Sequence, residues 1–128
     1  MSAAAARIVV LDGEPIVRSV IAKILKHGGY TVEEVGTVEA AVEIVKSAPP
    51  DLLLTNVSLP GISGRDAMRL IRSLRPDLPV LMVSGLPEED VIHEWAGRDD
   101  GFDTFPKPFT AQELLNKVRM MQARKRQD

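Results

Sequence analysis

The sequence predicts an α/β domain built on a parallel sheet with right-handed crossovers. Three observations carry that expectation. Short apolar runs recur at Ile8–Leu11, Leu52–Leu54 and Val80–Val83, of a length suited to strands buried on both faces. Between them lie stretches with apolar residues at i, i+3, i+4 and i+7, the spacing of amphipathic helices. Turn chemistry or a polar residue follows each run, so strand and helix alternate five times along the chain.

The elements follow in order. Ile8–Leu11 is a strand that ends in Asp12-Gly13-Glu14-Pro15, with Pro15 at the first turn of a helix. Val17, Val20, Ile21 and Ile24 form that helix's apolar stripe, and Gly28-Gly29 stops it. Tyr30–Val35 is a second strand, whose Glu33-Glu34 pair suits an edge. Thr37 caps the next helix, with Val38, Ala41, Val42 and Val45 facing in and Pro49-Pro50 ending it.

The central strand, Leu52–Leu54, turns polar at Thr55 and Asn56 and enters a loop with Pro60, Gly61 and Gly64. Ser63 is placed to cap a third helix, with Ala67, Leu70, Ile71 and Leu74 on its buried stripe. Val80–Val83 ends at Ser84-Gly85. Pro87 and the acidic group Glu88-Glu89-Asp90 suit the start of a fourth helix, which carries Val91, Ile92 and Trp95. Thr104-Phe105 marks a short last strand before Pro106-Lys107-Pro108. Thr110 and Glu113 have capping-box spacing and open a final helix with Leu114, Leu115, Val118 and Met121 facing in.

Composition narrows the function. The 128 residues suit one domain (1–128, core about 7–122, with a charged tail at 123–128), 45% hydrophobic and 27% charged. A net charge of -2 gives no electrostatic case for nucleic acid or membrane. The absence of cysteine excludes disulfide and thiolate chemistry, and two histidines, His27 and His93, are too few for a His-rich metal site. No apolar run is long enough to cross a bilayer and no secretory signal opens the chain, so the expected location is the cytoplasm.

Four polar residues recur just after strands: Asp12, Asn56, Ser84 and Lys107. In a doubly wound sheet such positions converge on one crevice at the carboxyl ends. Any one of them is explained by backbone meeting water at a strand end; the set, with Lys107-Pro108, is more specific.

With these residues in view, the chain resembles a response-regulator receiver domain of two-component signalling over nearly its whole length. The matching pieces are residues 8–15 (Ile-Val-Val-Leu-Asp-Gly-Glu-Pro), 51–64, 80–85 (Val-Leu-Met-Val-Ser-Gly) and 105–109 (Phe-Pro-Lys-Pro-Phe). The resemblance implies a flavodoxin-like fold: five strands in the order 2-1-3-4-5, flanked by five helices. It implies a phosphorelay in which a histidine kinase donates a phosphoryl group to an aspartate with the help of Mg²⁺. Asp12 then matches the first residue of the family's metal-binding acidic pair, with Glu14 a less certain contributor. Ser84 matches the hydroxyl that contacts the phosphoryl group. Lys107 matches the lysine that pairs with it, joined to Pro108 by a bond that is typically cis in the family.

Three positions depart from the pattern. Asn56 stands at the phosphoacceptor position, Gly13 replaces the second acid, and Thr104 stands where the switch aromatic is usual. A carboxamide is neutral, its nitrogen lone pair is delocalised, and it cannot form an acyl phosphate. Phosphoryl transfer also needs a divalent ion held by carboxylates, and here Asp12 and Lys107 cancel. The expectation is therefore a pseudo-receiver: no enzyme, no cofactor, a weak metal site at most, acting by contact with a histidine kinase or other signalling protein, or with a second copy of itself.

Three other readings compete on the same residues. An engineered Asp-to-Asn exchange would by itself block phosphorylation, but Gly13 and Thr104 are then unexplained. A receiver that still catalyses its own phosphorylation at Ser58 or Ser84 lacks an obvious base for either hydroxyl. A flavin or nucleotide binder on the same scaffold needs a glycine-rich loop after the first strand, which Asp12-Gly13-Glu14-Pro15 does not supply. Trp95 reads as packing a helix on the sheet, and Lys117, Arg119, Arg124, Lys125 and Arg126 as a solvated helix end. Asp99-Asp100-Gly101 reads as a turn, and His27 and His93 as surface residues. Nothing here leaves room for an effector domain, so the chain is expected to stand alone or to be part of a longer protein.

Overall fold

A computed structural model of the chain describes residues 6–56, 58–59, 62–84, 102–106 and 110–127. The elements run β1 (Arg7–Leu11), α1 (Pro15–His27), β2 (Thr31–Val35), α2 (Val38–Ser47), β3 (Leu52–Asn56), β4 (Ser58–Leu59), β5 (Ile62–Ser63), α3 (Gly64–Leu74), β6 (Val80–Ser84), β7 (Phe102–Pro106) and α4 (Ala111–Gln127). One parallel sheet joins five strands in the order β2-β1-β3-β6-β7. The helix expected after Pro87, the loop at 97–101 and the tail residue Asp128 lie outside the described residues, as do Trp95 and His93.

Alternation along the strands divides the core into two layers. Val9, Leu11, Leu53, Val80 and Met82 pack with Val38, Ala41 and Val45 of α2 and Ala67 and Ile71 of α3. Ile8, Val10, Leu52, Leu54, Leu81 and Val83 pack on the other face with Ile21 and Leu25 of α1 and Leu114, Leu115, Val118 and Met121 of α4. Both faces of the central strands are therefore covered, which is why they read as unbroken apolar runs.

Local chemistry sets the helix ends. Pro15 occupies the first turn of α1, where a missing N–H costs nothing. Tyr30 N donates to Leu25 O and Gly29 N to Lys26 O, closing the helix with Gly29 at φ +98°. Gly28 lies under the last helix: a β-carbon there would stand 2.5 Å from Leu115 Cδ2. Thr37 Oγ1 accepts from Ala40 N at 3.2 Å. Before α4, Thr110 N donates to Glu113 Oε1 and Glu113 N to Thr110 Oγ1, at 2.7 and 3.0 Å, a reciprocal capping box.

Several boundaries and faces differ from the sequence expectation. The loop after β3 contains a small antiparallel pair, β4 with β5, and Ser63 is the last residue of β5 immediately before α3. Strand β7 spans five residues, not two, and includes Pro106, which an edge strand tolerates because one row of its backbone groups has no ladder partner. Leu70 and Leu74 of α3 are exposed while Ala67 and Ile71 are buried. On α1 the buried residues are Ile21, Ala22 and Leu25, and Val20 is 51% exposed. The inward face of α1 is thus wider than the apolar stripe in the sequence: Ile21 is buried and Val17 and Ile24 pack against the core as expected, Ala22 and Leu25 extend the face, Arg18 borders it, and Val20 turns out.

Candidate functional site

The carboxyl ends of β1, β3, β6 and β7 form one rim. Leu11 pairs with Thr55, so Asp12 and Asn56 take corresponding positions at the ends of neighbouring strands. Asn56 pairs with Val83, which places Ser84 one residue further along β6, and Ser84 pairs with Pro106. Lys107 follows Pro106 directly in the chain but lies outside the described residues, as do the side chains of Asn56, Ser84 and Thr104. Thr104 pairs with Met82, two residues short of the rim, so by register it belongs to the body of the sheet. Ser58, in β4, follows Asn56 by two residues.

Asp12 is the rim residue whose side chain is described, and it is held from several sides. It is 1% exposed, one of two buried polar residues among those described, with Thr55 of β3 the other. Its N–H donates to Val35 O at 3.1 Å, tying the end of β1 to the end of β2. Its Oδ1 accepts from Glu14 N at 2.9 Å, so the carboxylate closes a turn over Gly13. Its carbonyl accepts from Arg18 Nη1 at 2.7 Å. Glu14 is the N-cap residue of α1 and is exposed, without a side-chain capping bond.

Arg18 was missed in the sequence, where an arginine in a helix reads as solvated. Its stripe position was the available signal: it stands i−3, i−4 and i−7 from Ile21, Ala22 and Leu25. The Glu33-Glu34 pair was a second signal, since two carboxylates in a strand call for cations. Each glutamate meets one: Glu33 pairs with Arg7 and Glu34 with Arg18, the latter at 3.6 Å.

The family fold implies Mg²⁺ at this rim, and the described residues do not fit it. Mg²⁺ requires carboxylate oxygens in near-octahedral geometry with waters. Gly13 offers no side chain, one Asp12 oxygen is engaged by the turn, and no group of three or more His, Cys, Asp or Glu that could hold a metal occurs among the described residues.

Comparison with known proteins agrees with the architecture. The family model for the response regulator receiver domain matches residues 8–119. The response regulator MprA of Mycobacterium ulcerans (strain Agy99) is 36% identical over 116 residues, covering 90% of this chain and 49% of that protein. MprA of Mycobacterium leprae (strain TN) is 34% identical over 123 residues, covering 95% and 53%. The chain spans about half the length of these curated relatives. Among solved structures, NtrX from Brucella abortus superposes with a TM-score of 0.87 at 26% identity, over 96% of this chain and 28% of that one. A response regulator receiver domain protein from Clostridium thermocellum gives 0.85 at 26% identity, over 94% and 97%. No described helix is long and apolar enough to cross a membrane. The chain belongs to the response regulator receiver domains of two-component signalling.

Proposed function

We propose that this receiver domain takes no phosphoryl group at position 56 and signals through protein contacts alone. The observation that carries the reading is the carboxamide of Asn56 at the end of β3, in register beside Asp12, where an anionic oxygen nucleophile is needed. Gly13 supports it by removing a metal ligand, and Thr104 by removing the usual switch aromatic. The domain then has no catalytic activity and needs no Mg²⁺. Its partner is a histidine kinase or another signalling protein, or a second copy of itself, in the cytoplasm. Nucleic acid and membrane are not partners. Without a phosphoryl ligand, the balance between the family's two conformations is set by the chain itself. Ser84 and Lys107 act in this reading as fixed polar residues of the rim, with Lys107 donating to the Asn56 carbonyl or pairing with Asp12.

Incubation with a labelled small phosphodonor and Mg²⁺ tests this. No label is expected on the unaltered chain, and Mg²⁺-dependent label is expected on the double variant Asn56→Asp, Gly13→Asp. Label on the unaltered chain overturns the reading.

The likeness to proteins named as response regulators favours a second reading, in which the scaffold is intact and position 56 is the sole defect. Asn56→Asp alone decides between them. Full labelling of the single variant favours the second reading; labelling only after Gly13→Asp is added favours the first.

A further inference from the structure

We infer that Arg18 is a positioning residue for this rim: a covalently attached cation that fixes the Asp12–Glu14 turn without a metal ion. The inference rests on the reading that the rim takes no Mg²⁺.

The arginine leaves the inward stripe of α1 and ends between the ends of β1 and β2. Nη1 donates to Asp12 O at 2.7 Å, and Nε stands 3.6 Å from Glu34 Oε1. That separation is too long for a hydrogen bond, and Nε is buried without an acceptor. An unmet buried donor is a cost that folding alone gives no reason to keep.

Its seat is built for it. A β-carbon on Gly36 would lie 2.8 Å from Nη1, 3.7 Å from Cζ and 3.9 Å from Asp12 O. The missing side chain at 36 is thus the space that the guanidinium fills. The result is a chain of contacts from Glu34 through Arg18 to the Asp12 carbonyl, and from the Asp12 carboxylate to Glu14 N. Arginine suits the role because it stays charged at all working pH values and its planar fork can serve two partners. In a turn where Gly13 stands in place of a second acid, this cation does locally what a bound ion cannot.

Amide hydrogen exchange on the full chain, followed by NMR in chelator, tests the inference. Two variants approach the guanidinium from opposite sides: Arg18→Met removes it, and Gly36→Ala evicts it while leaving its charge. Each is expected to speed exchange at Asp12 and Glu14 roughly five- to tenfold, with Leu53 and Leu54 unchanged. A purely structural role would move all of these amides together, and that result, or unchanged exchange at Asp12 and Glu14 in a folded variant, overturns the inference. Addition of Mg²⁺ to the unaltered chain is a separate arm. Shifted Gly13 and Glu14 resonances there defeat the metal-free reading of the rim, while the exchange comparison in chelator still decides the role of Arg18.

Discussion

At the amino-terminal rim of the sheet Arg7 pairs with Glu33; at the carboxyl rim Arg18 pairs with Glu34. The partners are neighbours on one strand, but the surroundings differ. Arg7 Nη1 also donates to Ala48 O at 2.9 Å and Pro49 O at 3.2 Å, and Arg7 N donates to Asp51 Oδ2 at 2.7 Å. That rim stitches β1, β2 and the approach to β3 together, and no buried side-chain donor is left unmet there among the described residues. Arg18 reaches one carbonyl and leaves Nε buried without an acceptor. The difference teaches that saturation of hydrogen bonds separates a rim that holds the fold from one that holds a site.

The largest expected effect comes from the layer that both rims share. Leu81→Ala empties a fully buried position in β6 and should lower stability by about 2–5 kcal/mol in urea denaturation. Exchange should then rise at both rims together. A smaller, one-sided effect is expected at the amino rim. Asp51→Ala removes the acceptor of Arg7 N and should cost about 1–3 kcal/mol, leaving Asp12 and Glu14 exchange unchanged. If those amides respond, the rims are not independent.

At the carboxyl rim Arg18→Met should cost about 1 kcal/mol or less by the same urea measurement. It gives up one hydrogen bond and a partly exposed ion pair but also removes an unmet donor. A loss as large as that of Asp51→Ala would erase the contrast. The smallest effect belongs to salt. Both ion pairs are partly exposed, so raising ionic strength should change stability by only about 0.2–1 kcal/mol per pair in a thermal melt.

Much of this was legible from residue order. Unbroken apolar runs forecast strands covered on both faces, and the residues expected to face in on α2 and on the last helix do so. Thr37 and the Thr110–Glu113 pair were readable because capping is local chemistry. On α1, Val17, Ile21 and Ile24 face in as expected, but Val20 is exposed and Ala22 and Leu25 are buried beside them, with Arg18 at their border. The seat of that arginine depends on Gly36 and Glu34, which lie elsewhere in the chain. The β4–β5 pair was hidden because runs of two residues carry no period, although Pro60-Gly61 between them is turn chemistry. At the rim, strand ends were enough to bring Asp12, Asn56 and Ser84 into view as neighbours, while Thr104, singled out by the family resemblance alone, lies by register within the sheet, opposite Met82.

The turn at Gly28-Gly29 bears on how the domain can be altered. Surface turns are the usual choice for inserting a tag, a label or a second domain. This one is closed for two separate reasons. Any side chain at 28 must displace Leu115 from its packed position, and any at 29 must adopt a left-handed backbone costing roughly 1–2 kcal/mol. A fluorophore or fusion joint intended to leave the receiver undisturbed therefore belongs elsewhere on its surface.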